Sequence, residues 1–91
     1  MSGEAVSALA RHEIRAISEN RGHPVDRAQR LIDRMRAAFE AGELQRTAAL
    51  DAMLADLATA IAAGPDGRPG GKSSEAARFI MTAIVRQLER A

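Results

Sequence analysis

The sequence predicts an all-α fold, a small four-helix bundle that is expected to dimerise through its third helix. Three observations carry that expectation. Ala, Leu, Arg, Glu and Met, all strong helix formers, dominate the 91 residues, whereas β-branched residues are scarce and the aromatics are only Phe39 and Phe79. Apolar residues recur at three- and four-residue steps in four separate stretches. Gly and Pro gather between those stretches, where a helix has to stop.

The first helix is expected from Glu4 to Asn20, on Val6, Leu9, Ala10, Ile14 and Ile17. Gly22 and Pro24 end it, the first by accepting a left-handed conformation and the second by being unable to extend a helix. Pro24 then opens the second helix, with Asp26 near its positive end, and Ala28, Leu31, Ile32, Met35 and Phe39 form a stripe up to Ala41. Gly42 is a stop or a kink, and Glu43 to Ala63 is the expected third helix. The Gly/Pro-rich run 64–72 is expected to be a flexible loop before the last helix. Ser73 or Ser74 caps that helix, which presents Ala76, Phe79, Ile80, Ala83, Ile84 and Leu88 as far as Arg90.

The third helix drives the dimer expectation. Between Ala48 and Ala63 only Asp51, Asp56 and Thr59 are polar, so apolar side chains cover most of the circumference. Such a helix is expected to be buried on several sides. Leu50, Leu54, Leu57 and Ile61 step 4, 3, 4 as a coiled-coil seam does, with Met53 beside them. Those five residues are the expected oligomer interface, in a homodimer that covers what the chain's own helices leave exposed.

Composition narrows the function. Ninety-one residues fit one domain, 1–91. The absence of Cys excludes disulfides, thiolate zinc sites and cysteine catalysis. A net charge of +1 supplies no global field to attract nucleic acid or an anionic membrane. Met1-Ser2-Gly3-Glu4 lacks the pattern of a signal peptide, and the longest apolar stretch is too short for a bilayer, so a cytoplasmic location is expected.

The arginines are the most patterned polar feature. Arg27, Arg30 and Arg34 fall at steps of three and four and make one stripe on the second helix. Residues 21–36 hold Arg21, Arg27, Arg30, Arg34 and Arg36 against Asp26 and Asp33. Such a stripe is either a solvated face with local ion pairs or a docking rim, since arginine is enriched at interfaces and pairs bidentately with carboxylates. In the docking reading the three arginines orient a partner protein, and the exposed edge of Leu31, Met35 and Phe39 supplies contact area.

Arg11-His12-Glu13-Ile14-Arg15 resembles the phosphoacceptor box of sensor histidine kinases, His-Glu-(Leu/Ile)-Arg on a helix of a dimeric bundle. The resemblance covers His12 to Arg15 and implies an exposed phosphoacceptor His12, with the adjacent acid assisting as a base. Ala16-Ile17 stand where Thr-Pro commonly follows, and no nucleotide-binding motif accompanies the box, which limits the implied role to a phosphotransfer relay. His12 and His23 lie about three helical turns apart, too far to share a metal, and no metal or cofactor is expected.

Two further motifs fail on spacing. Gly71-Lys72-Ser73 has Asp66, not Gly, five positions before Gly71, so it is no P-loop. Ala38 and Gly42 have the spacing of a helix-turn-helix, but Glu43 takes an apolar slot and the would-be recognition helix is apolar and acidic. With no nucleophile elbow, paired carboxylates or cofactor fingerprint, the leading expectation is a non-catalytic regulatory or adaptor protein. A dimeric DNA-binding regulator and a His12 phosphotransfer bundle are the alternatives.

Overall fold

A computed structural model describes residues 2–19, 21–63 and 72–90, and these form four helices: α1 (Ser2–Ser18), α2 (Pro24–Glu40), α3 (Ala48–Ala63) and α4 (Lys72–Arg90). Helix α1 packs on α2 and α4, α3 packs on the same two, and α2 reaches α4 across the diagonal. Helices α1 and α4 run antiparallel, because Ser7 and Arg11 meet Glu89 whereas Ser18 meets Arg78. The radius of gyration is 12.2 Å, the value of about 12 Å that a closed domain of this length adopts. The chain therefore wraps its own core.

Local chemistry sets the boundaries. Gly22 has φ +78°, the left-handed conformation that ends α1, and Pro24 begins α2 two residues later. Helix α2 closes in a paired motif: Gly42, at φ +74°, donates its N–H to the Phe39 carbonyl, and Glu43 donates to that of Ala38. The third helix then starts five residues later than the sequence predicts. Thr47 caps it, its Oγ accepting from the Leu50 N–H at 3.2 Å. The expected 64–72 loop lies outside the described residues except for Lys72, which opens α4.

The core is aliphatic. Leu31, Ile32, Met35, Leu57, Met81 and Ile84 are its largest fully buried apolar side chains. Small residues, Ala10, Ala28, Ala38 and Ala77, are buried among them and let the helices approach closely. Neither phenylalanine is fully buried: Phe39 is half-buried with Arg46 stacked 5.6 Å from its ring centre, and Phe79 is exposed.

The expected oligomer seam is corrected by this packing. Leu50, Leu54, Leu57 and Ile61 all face the chain's own core, and Met53 is half-buried at its margin. The outward side of α3 carries Ala48, Ala52, Ala55 and Ala62. An exposed alanine leaves a single methyl group in water, worth about 0.8 kcal/mol, whereas an exposed leucine forgoes roughly 1.5–3 kcal/mol. Apolar counting around α3 thus overstates its need for a second copy. The fold arranges the costly side chains inward and the cheap ones outward.

Candidate partner-binding surface

On α2 the arginine stripe is paired within the chain, although Arg30 remains exposed. Glu13 of α1 is completely buried, and Arg27 Nη1 donates to its carboxylate oxygens at 3.1 and 3.3 Å. Arg30 reaches the same carboxylate at 3.7 Å, and Arg34 pairs with Glu43 at 3.3 Å. All three arginines thus have carboxylate partners within the chain. Leu31 and Met35 have no exposed surface, which corrects the expectation that they offer contact area. Phe39 is half-buried beneath Arg46. The physical reason is the helix period: a stripe that buries Ala28, Leu31, Ile32 and Met35 against α1, α3 and α4 cannot also present them to a partner.

His12 is exposed, and its Nε2 lies 4.0 Å from the Glu13 carboxylate. The placement matches the exposed histidine that the phosphoacceptor resemblance implies. The neighbouring acid, however, is buried and already engaged within the chain, accepting from Arg27 at 3.1 and 3.3 Å with Arg30 at 3.7 Å. The spacing that suggested a helix-turn-helix does not build one. Seven residues, Ala41–Thr47, separate α2 from α3, where that motif uses a turn of three or four. Among the described residues no group of three or more His, Asp or Glu is placed to hold a metal, and no helix is long and apolar enough to cross a membrane.

A different surface is built on α4. Its buried side is Ala77, Met81, Ile84 and Val85, with Leu88 packed against the core. That is a rotation away from the face the sequence predicts, and it leaves Phe79 outward with 78% of its surface in water. Glu75, Thr82, Ala83, Arg86 and Arg90 lie at steps of three, four, seven and eleven from Phe79 and therefore share its side of the helix. An open cleft of about 610 Å³ runs along this side, bordered by Ile14 of α1 and Met53 of α3. Arg78 donates to the Ser18 hydroxyl at 3.3 Å. No carboxylate pairs with Arg78, Arg86 or Arg90 among the described residues.

The adjacent seam between α1 and α4 is held differently. Arg11 and Ser7 both donate to Glu89, and the Arg11 hydrogen bond is the chief cause of a Glu89 pKa below the ordinary carboxylate range. Sequence reasoning placed Phe79 in the core because α4 has apolar residues on two faces. The usable signal was the company of Phe79: acid and base at four, seven and eleven residues mark a wet face.

The chain matches no family model, and no curated protein or solved structure matches it. Fold and surface together define it as an all-α four-helix bundle with a basic, aromatic-tipped outer helix.

Proposed function

We propose that this chain is a non-catalytic regulatory or adaptor protein that captures another protein on the outer face of α4. The observation that carries the reading is Phe79, 78% exposed on the same side of α4 as Arg86 and Arg90, neither of which has a carboxylate partner among the described residues. A large exposed apolar side chain in a rimmed cleft is the usual anatomy of a docking site, with the aromatic as anchor and the arginines as the orienting rim. The partner that fits is an acidic, amphipathic segment: its apolar side covers Phe79 and Met53, and its carboxylates meet Arg86 and Arg90. The docking site is thereby moved from the α2 stripe, whose guanidiniums are engaged within the chain, to α4.

A photo-crosslinking residue at position 79, expressed in the native host, tests the reading. Adducts to a second protein are expected, and they should vanish when Arg86→Glu and Arg90→Glu are added. A crosslinker at position 30 should give none of these adducts. Equal adducts from both positions, or none from position 79, would overturn the proposal.

A further inference from the structure

Of the residues on the outward side of α3, the charged ones are Asp51 and Asp56, with no base from Ala48 to Ala63. Asp51 is held by Arg46 at 2.9 Å, while Asp56 is exposed and has no ion pair among the described residues. On α4 the balance is opposite: the exposed cations Arg86 and Arg90 outnumber Glu75 on the side from which Phe79 protrudes. Two adjacent helices thus carry opposite unbalanced charge, one with a projecting aromatic and the other with short side chains at Ala52, Ala55 and Thr59.

We propose that the outer face of α4 is covered by α3 of a second copy of this chain, in a two-fold dimer that places Arg86 of each copy beside Asp56 of the other. The inference rests on the reading of the α4 face as a binding surface and names its resting occupant. A two-fold axis parallel to the bundle sets α4 on the second copy's α3 and α3 on its α4, so each favourable contact is made twice. Such an axis also preserves the height of every residue along the bundle. Met53 borders the cleft with Arg86, and Asp56, one helical turn from Met53 and without an ion pair among the described residues, is the carboxylate that the dimer brings to Arg86. Phe79 loses its water contact against the small side chains of α3. The seam differs from the Leu50–Ile61 stripe, which stays in each copy's own core. Capture of another protein on α4 then requires the two copies to part.

Charge exchange tests the arrangement, with sedimentation equilibrium of the full chain as the readout. The parent protein should give a dimer mass. Asp56→Arg alone and Arg86→Asp alone should each weaken the dimer at least about tenfold, because each replaces two attractions by two repulsions. Mixing the two variants should restore a dimer. In the mixed pair one contact keeps the parent Arg86 and Asp56, and the other brings the two substituted side chains together, again as one cation and one carboxylate. Both positions are exposed, so at a dilution where self-association is absent the single variants should melt as the parent does. A monomer mass for the parent across the concentration series overturns the proposal. So does a dimer that neither variant weakens, or a mixture that stays monomeric. Adducts of position 79 to a different protein, in a chain that fails this exchange, would sink the dimer and leave the proposed function standing.

Discussion

Arg27 closes over the buried carboxylate of Glu13, donating from Nη1 at 3.1 Å while its Nε donates to the Arg21 carbonyl at 3.1 Å. One side chain thereby ties the middle of α1, the turn after it and the start of α2. Glu13 has no contact with water, and Arg30 is its second cation, at 3.7 Å. The charge that sequence patterning offers as a docking rim is in this instance an internal clasp.

Removing one partner of a buried ion pair costs more than the pair is worth, because the other charge is stranded. Arg27→Ala strands Glu13, and the cost is expected near the low end of roughly 3–5 kcal/mol, since Arg30 remains close. Glu13→Gln leaves a guanidinium that is still partly in water and an amide oxygen to accept from it, and should cost about 1–2 kcal/mol. Urea denaturation of both variants checks the order. Equal losses, or the glutamine variant faring worse, would contradict the clasp.

Gly22 sits at φ +78°, and a Cβ there would stand 2.9 Å from Arg27 Nε. Gly22→Ala therefore incurs a backbone penalty of roughly 1–2 kcal/mol and also displaces the arginine. In an Arg27→Ala background only the backbone part should remain. A double-mutant cycle on melting reads this directly: the combined loss is expected to fall short of the sum. Simple additivity would mean that Arg27 and Gly22 do not share the space described.

How far these relationships could be read from residues alone varies by element. The stop at Gly22-Pro24 and the stripe of α2 were legible because single residues with strong backbone preferences coincide with a clean 3.6-residue period. The start of α3 was not, since Glu43 and Leu44 have good helix propensity, yet both are tied back to the Ala38 carbonyl and the cap falls at Thr47. Arg27, Arg30 and Arg34 read as a surface because their carboxylate partners come from α1 and from the turn after α2, information that exists only once the helices are packed. The α4 face was misplaced for a related reason. Two apolar faces compete, and the choice between them depends on where α1 and α3 lie.

Acid should loosen the α1–α4 seam through Glu89. Its pKa is lowered chiefly by the hydrogen bond from Arg11, so the unfolded chain binds that proton more readily than the folded one. The contribution is fully present above the usual carboxylate value of about 4.3 and is lost as pH falls through the depressed value. Stability of the parent and of Glu89→Gln, measured from neutral pH downward, should differ at neutrality and converge in acid. The effect is small, because both partners are well exposed and screened. A gap that stays constant with pH would exclude the ionised pair as its source.

Phe79 and Leu57 provide the sharpest contrast between a surface role and a core role. Both are large apolar residues that sequence periodicity removes from water, Phe79 on the apolar face of the last helix and Leu57 in the expected oligomer seam of the third. Leu57 is fully buried, so Leu57→Ala removes its packing and leaves a cavity, at about 2–5 kcal/mol. Phe79 already meets water over most of its surface, so Phe79→Ala should change the stability of the monomer by no more than about 0.5 kcal/mol. Denaturant melts at a dilution where self-association is absent separate the two effects. At higher concentration, Phe79→Ala should lose the concentration-dependent rise in melting temperature that any ligand of the folded face confers. A large loss of stability in the dilute Phe79→Ala chain would return that ring to the core and remove the anchor from the α4 surface.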